Sequence, residues 1–324
     1  MKKLFWIISV MFLLQACTTV QSVYFERLQP ADVNFPAQIR SVGVVNNMPP
    51  VHQDYKDVDY TSASLEGDGD IAAENLAQEL AAVDYFDQVV LYDKRVRKSA
   101  YPLEQPIPKE TVDELIRLLD VDMLLSMERV NVVLKDSTMF IPELYTFVPA
   151  AEGVVTSVVR AYLKQQEKPL FSIQKTDTLC WEIVQDLTFG DIVKDFSEYA
   201  ASIPMQYLLP YWKEEERRYF DGGNVNMRDA GVCVREQNWE EACRLWKELY
   251  DTKKGKVKMR AAYNLAVYYE LQNDFVQAKE CLDTAQALAS EDSWEMQLIL
   301  LYQLQLEEQA KQNQRLNVQM KRFN

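Results

Sequence analysis

The chain has 324 residues, 48% of them hydrophobic and 11% aromatic, and a formal net charge of −14. It is long enough for two domains and apolar enough to bury real cores, which excludes a disordered chain. The acidic balance excludes binding to nucleic acid or anionic lipid through a basic face and reads as a solvated surface. At the amino terminus, Lys2 and Lys3 form a positive region ahead of an apolar run from Leu4 to Leu14 in which Ser9 is the only polar residue. The run is short for a membrane span and suits the hydrophobic stretch of a secretory signal.

Leu14-Gln15-Ala16-Cys17 closes that run and resembles the bacterial lipobox. The resemblance implies cleavage before Cys17 and a lipid on its sulfur, with residues 1–16 as the signal and 17–36 as a lipid tether. Each buried methylene of such a lipid contributes roughly 0.8 kcal/mol to anchoring. No acidic cluster follows Cys17, which favours an envelope protein at the outer membrane that faces the periplasm. The membrane is then one partner, through Cys17.

Residues 37–210 read as an α/β domain. Arg40 to Val45 is a buried strand, and a long loop with Pro49-Pro50 follows. Ala73, Leu76, Ala77, Leu80 and Val83 fall on one face of a helix over 70–83. Val89-Val90-Leu91-Tyr92 is a second strand. Thr111-x-x-Glu114 has the form of a capping box, and Val112, Leu115, Ile116 and Leu119 give the stripe of the helix it would start. A third strand begins near Met123 and extends towards Leu134. This order predicts a mixed sheet, partly parallel and covered by helices. Residues 154–163 and 170–181 predict an antiparallel hairpin around Gln165-Gln166-Glu167-Lys168. Ile192, Val193, Phe196, Ala200 and Ile203 outline a closing helix, and Gly222-Gly223 marks a boundary.

Strand 40–45, helix 70–83 with Tyr85-Phe86-Asp87-Gln88-Val89-Val90, and Leu118 to Leu125 form an ordered pattern. It resembles a group of envelope proteins: the curli-secretion lipoprotein, the lipoprotein activator of a penicillin-binding protein, and the amino-terminal domain of the Tol-Pal β-propeller protein. The resemblance covers about Ile39 to Trp181 and implies assembly or regulatory work at the envelope rather than catalysis. The long acidic loop and the segment from Asp136 to Gly153 depart from it.

Residues 224–310 read as all-α repeats, followed by a polar tail over 311–324. Ala230, Cys233, Ala242, Trp246 and Leu249 share their offsets with Ala266, Tyr269, Ala278, Leu282 and Ala285, 36 residues later. Small residues let helices cross closely and large ones fill the space above, which resembles the tetratricopeptide pattern with its period of about 34. The usual early Trp and closing Pro are missing. A third helix from Trp294 to about Gln309 would cover the last pair. Lipobox, α/β domain and repeats together resemble a family of bacterial lipoproteins.

Chemical motifs are sparse. There is no G-x-S-x-G elbow and no phosphate-cradling G-x-x-x-x-G-K. The only histidine, His52, sits in a polar loop, and no cysteine pair has C-x-x-C spacing, so neither a metal nor a cofactor is called for. Cys180, Cys233, Cys243 and Cys281 fall on apolar stripes and read as buried thiols. Ser172 and Lys175, three apart on a strand, face opposite ways and cannot form a catalytic pair. Asp68-Gly69-Asp70 reads as the acidic start of a helix rather than as a calcium loop. Glu214 to Arg218 reads as the solvated face of a helix.

Met139 to Pro149 is very apolar for a segment between strands. It reads as a loop tucked onto its own domain or as an exposed patch for a partner or membrane, with Phe140 and Phe147 as contacts. Pro142 and Pro149 argue against a spanning hairpin. The first helices of the repeats offer a concave face carrying Asn226, Arg228 and Asp229, and then Tyr263, Asn264 and Tyr268. The expectation is a non-enzymatic scaffold or regulator that binds an envelope protein through Asn264, Tyr268, Tyr263 and Arg228. The alternatives are a component of a secretion or pore assembly and a carboxylate-dependent cell-wall hydrolase.

Overall fold

The computed structural model describes residues 20–50, 64–100, 102, 105–182 and 189–323. The expected signal, Cys17 and His52 lie outside the described residues. In chain order the elements are β1 (Val20–Gln29), β2 (Ser41–Asn46), β3 (Ser64–Glu66), α1 (Gly69–Ala82), β4 (Gln88–Leu91), α2 (Lys109–Leu119), β5 (Met123–Ile141), β6 (Thr146–Leu163) and β7 (Phe171–Glu182). There follow α3 (Phe189–Ser202), α4 (Met205–Leu208), β8 (Tyr211–Phe220), α5 (Val225–Arg235), α6 (Trp239–Thr252), α7 (Gly255–Leu271), α8 (Phe275–Leu288), α9 (Trp294–Met320) and a closing 3-10 turn (Lys321–Phe323). The chain divides into two units. One holds Pro30–Tyr211 and Gln319–Asn324; the other holds Met1–Gln29 and Trp212–Val318.

The first unit is a mixed sheet covered by helices, in the order β4-β2-β5-β6-β7 with β3 paired to β5. β4 and β5 flank β2 on opposite sides and both run parallel to it. Right-handed crossovers that step in opposite directions, β2 to β4 and then β4 back past β2 to β5, place their helices on opposite faces. Accordingly Val42, Val44, Met123 and Leu125 pack with α1 and α3 in one core. Val45, Leu124 and Tyr162 pack with Val112, Leu115 and Ile116 of α2 in another. Gly43 permits this second contact: a Cβ there would lie 2.9 Å from side-chain atoms of both Leu119 and Leu124.

Helix α1 starts where its acids are placed to cap it. The Asp68 carboxylate accepts from the N–H of Asp70 at 2.8 Å and of Ile71 at 3.2 Å. Ala73, Leu76, Ala77 and Leu80 are buried as the period requires, whereas Val83 sits at the C-cap and is exposed. The expected capping box of α2 does not form. Pro108 takes the N-cap with φ −59°, so the helix begins before Thr111, and no side chain caps it.

Three expectations are corrected in the second unit and at the chain's end. Residues 20–29, expected within a tether, are strand β1, which forms a two-stranded sheet with β8. The run Glu214 to Arg218 lies on β8 and not on a helix, and its alternation turns Arg217 inward to 3% exposure. Residues 311–324, expected as a polar tail, continue α9 to Met320 and then the 3-10 turn. Gln319 is held in the α/β unit by Ala31 and Val33, and Arg322 lies over the ring of Tyr85 at 4.2 Å.

The second unit adds α5–α9 to that two-stranded sheet. Ala230, Ala242, Ala261, Ala262, Ala266, Ala278 and Ala285 are all fully buried where helices cross. Trp246, Leu249, Leu282 and Tyr302 fill the spaces around them. The helices are thus antiparallel-type hairpins packed in sequence, α5 on α6, α6 on α7 and α7 on α8.

Asp122 locks the entry to the sheet. One carboxylate oxygen accepts from the backbone N–H of Arg40 and of Ser41, each at 2.8 Å, and from the Ser41 hydroxyl at 2.9 Å. Burial acts to raise its pKa, but these bonds outweigh it and hold the carboxyl below its ordinary value. A depressed pKa contributes stability that is complete above the unfolded value and is lost as pH falls through the folded one. Asp122→Ala should therefore cost about 1 kcal/mol at pH 7 in urea denaturation. The gap between variant and parent should close as pH is lowered through the carboxylate range.

Candidate functional site

The long β5–β6 hairpin leaves the sheet before it ends. Among the described residues β7 pairs with β6 only from Ala150 onward, and Thr138–Ile141 and Thr146–Pro149 continue as a two-stranded ribbon with no other described strand beside it. The segment expected to be a loop is thus paired, with Met139 opposite Val148, Phe140 opposite Phe147 and Ile141 opposite Thr146. Both prolines are accommodated. Pro142 opens the turn, in which the N–H of Leu144 donates to Ile141 O and that of Tyr145 to Pro142 O. Pro149 lies just past the last pairing with β7, where β6 is an edge and a missing N–H costs little. Tyr145 adopts φ +52° to close the turn.

The tip is apolar and open. Exposures are 41% for Phe140, 68% for Leu144, 89% for Tyr145 and 68% for Phe147. Phe140 stacks on Phe147 at 5.2 Å and meets the Tyr145 ring edge-on at 5.7 Å. Phe140 and Phe147 occupy one face of the ribbon, and Met139, Ile141 and Val148 the other. Of the residues that sequence reasoning offered as contacts, Phe140 and Phe147 are therefore on the surface.

The helical candidates fare differently. Asn264 is fully buried: its amide nitrogen donates to Phe220 O, and its oxygen accepts from Phe220 N–H, each at 2.7 Å. It serves the end of β8, a strand that the helical reading did not anticipate. Tyr263 is 2% exposed, wedged between Phe220 and Tyr302 with ring centroids 5.2 Å from each. Both side chains are thus taken up within the unit, by β8 and α9, rather than presented at its surface. Tyr268 is half-buried against Tyr269, and Arg228 is exposed on α5. The open apolar surface of this unit lies instead on α9, where Leu300, Leu301 and Leu304 are 44%, 52% and 67% exposed.

Two fully buried carboxylates offer chemistry, and both are saturated. Glu128, at an irregularity in the β5–β6 ladder, accepts from Asn47 at 2.7 Å and from the Tyr162 hydroxyl at 2.8 Å, and pairs with Arg160 at 3.3 Å. Burial raises its pKa against the pull of these partners. In the helical unit, fully buried Glu270 receives both arms of Arg217 at 2.9 and 2.8 Å, and the Tyr302 hydroxyl at 2.7 Å. Arg27 of β1 adds an ion pair at 3.5 Å. Despite burial, this pairing holds Arg217 well above the ordinary guanidinium range. Such closed networks brace strands against helices and leave no room for a substrate oxygen.

The thiols Cys180, Cys233, Cys243 and Cys281 are all free. Cys180 is exposed on β7, which corrects its expected burial, because it shares the outward side of that strand with Ser172, Gln174 and Thr176. Burial pushes the Cys281 thiol up to about 11, which keeps it protonated at neutral pH. Ser172 and Lys175 do not meet: Ser172 lies by Arg160, while the Lys175 ammonium sits 3.8 Å over the Tyr207 ring. Among the described residues no group of three or more His, Cys, Asp or Glu is placed to hold a metal. No helix among them is long and apolar enough to cross a membrane.

Residues 39–220, which take in the sheet and its ribbon, match the family described as Domain of unknown function (DUF8603). The chain belongs to that family. Residues 228–308 match a second one, Domain of unknown function (DUF6340), so the DUF8603 region ends on β8 and the DUF6340 region spans the helices. No curated protein matches the chain. Among solved structures, a PelC dodecamer from Paraburkholderia phytofirmans is similar at 14% identity, over 58% of this chain and 99% of that one, with a TM-score of 0.27.

Sequence reasoning missed Leu300, Leu301 and Leu304 as surface residues, although their spacing off the buried Leu298, Ile299, Tyr302 and Leu306 stripe carried the signal. It also missed Arg217 and Glu270, which no local pattern joins. Glu270→Ala should destabilise the helical unit by about 3–5 kcal/mol, since Arg217 is left charged and buried. Replacing the pair together, Arg217→Met with Glu270→Leu, should recover most of that loss in urea melts followed by helical circular dichroism. A single variant as stable as the parent would show the network to be idle.

Proposed function

We propose that this chain is a lipid-anchored protein of the bacterial envelope, held at the outer membrane and facing the periplasm, which binds another envelope protein as scaffold or regulator and catalyses no reaction. The observation that carries the reading is the outer face of α9. Stacked helical repeats ordinarily end on a polar face, because the last helix has no neighbour to cover it. Here the last helix carries Leu300, Leu301 and Leu304 at the surface, spaced for one side of a helix. A contiguous apolar strip of this kind supports docking of a partner. The saturated state of Glu128 and Glu270 supports the absence of a hydrolytic pair. A pore reading draws on the β5–β6 ribbon, but the free part of each strand, such as Thr138–Ile141, is far shorter than the about 9–11 residues that a membrane strand needs.

The test is a crosslinking pull-down from envelopes with Leu301→Glu and Leu304→Glu combined. Both side chains are exposed, so the thermal melt should not change while the captured partner is lost. Undiminished capture would refute docking at α9. The anchor is tested separately: Cys17→Ser should carry no lipid and should move the chain from the membrane to the soluble fraction. A variant that stays lipidated would put the modification elsewhere.

A further inference from the structure

We propose that the β5–β6 ribbon tip is a lipid-contacting foot that buries Phe140, Tyr145, Phe147 and their neighbours in one leaflet of a bilayer. Four observations carry it. First, the tip is apolar on both faces and across its turn: exposed Phe140 and Phe147 on one side, half-buried Met139, Ile141 and Val148 on the other, exposed Leu144 at the apex. A protein groove covers one face of a ribbon, whereas an acyl layer surrounds it.

Second, the dimensions fit a dip rather than a span. Thr138–Ile141 reach about 13 Å at roughly 3.3 Å per residue, which matches the roughly 5–10 Å depth of interfacial insertion but not a hydrocarbon core of about 30 Å. Third, charge is excluded from the tip with one exception. Between Asp136 and Glu152 the only ionisable acid or base of ordinary charge is Glu143, in the turn. Its single carboxylate limits how far the apex passes the headgroup–acyl boundary and so keeps the insertion shallow. Fourth, the aromatic content is that of an interface: the exposed Tyr145 ring carries a hydroxyl for the headgroups, and the Phe140–Phe147 pair supplies the apolar area. This second membrane contact rests on the lipid-anchored reading for its access to a bilayer, while its chemistry belongs to the tip alone.

The test uses the full lipidated chain reconstituted into phosphatidylethanolamine–phosphatidylglycerol vesicles with acyl chains brominated at shallow or deep positions. Tyr145→Trp reports from the tip, and Lys168→Trp, in the connection from β6 to β7, is the control, each read as the emission added to that of the parent. The emission added at 145 should fall at least two-fold with shallow bromine and less with deep bromine, and that added at 168 should not change. Combining Phe140→Ser and Phe147→Ser with Tyr145→Trp should abolish the quenching and leave the thermal melt unaltered, because both rings are exposed. Glu143→Lys should deepen the quenching in proportion to phosphatidylglycerol content.

Equal quenching at 145 and 168, or quenching that survives the double serine variant, overturns the proposal. So does capture of a protein by a photo-crosslinker at 145 in a chain whose tip shows no quenching, an outcome that assigns the tip to a protein partner. A chain without lipid on Cys17 fails instead at fractionation, so loss of the anchor and loss of the foot give different results.

Discussion

The ladder between β5 and β6 is the constraint on which the α/β unit depends. Every backbone N–H and C=O of a strand needs a partner or water, and β5 is too long for any one neighbour to provide both edges. Its first residues take β2 on one side and β6 on the other; its middle takes β3. Beyond that β6 is the one neighbour among the described residues, and the pair runs on to the turn at Pro142. The change from parallel to antiparallel pairing, the position of Glu128 at the irregularity between Met127 and Arg129, and the exposed tip all follow from one strand outrunning its sheet. The helical unit has its own counterpart in the carboxylate of Glu270, where β1, β8, α7 and α9 meet through Arg27, Arg217 and Tyr302.

Much of the α/β order was legible in the residues because each element there buries a regular pattern. Val42 and Val44, the stripe of α1, and Val112, Leu115 and Ile116 announce their period, and the core takes them as announced. The small residues of α5–α8 are equally plain, because close crossings accept little else. What stayed hidden was whatever depends on a distant partner. Arg217 looks like a solvated charge until Glu270, 53 residues away, neutralises it. Residues 20–29 show no clean alternation because an outward position holds Tyr24 and an inward one holds Arg27, which pairs with Glu270. Asn264 and Tyr263 look like contact residues until the end of β8 is laid across them. Pro142 and Pro149 argue against a hairpin only if they fall inside its ladder, and they fall at the turn and at the unpaired edge.

The two apolar surfaces left over are different in kind. The leucines of α9 form a strip on a rigid helix, one side of which is already committed to the core through Ile299, Tyr302 and Leu306. Such a strip can be covered by another helix without any change in the unit. The ribbon tip has an open side with Phe140 and Phe147 and a half-buried one with Met139, Ile141 and Val148. Its rings pack on one another, and its only covalent support is two strands. One surface therefore suits a shaped partner and the other a medium without shape.

The path of the chain has a mechanical consequence. β1 precedes the α/β unit and β8 follows it, yet these two strands pair with each other. The whole of Pro30–Tyr211 is accordingly an insertion between two adjacent strands of the other unit. A pull applied to the chain ahead of Val20 loads the β1–β8 ladder in the helical unit first, and the Arg27 and Arg217 contacts to Glu270 lie along that line of force. That clamp is therefore what such a pull must break before β1 can leave the helical unit.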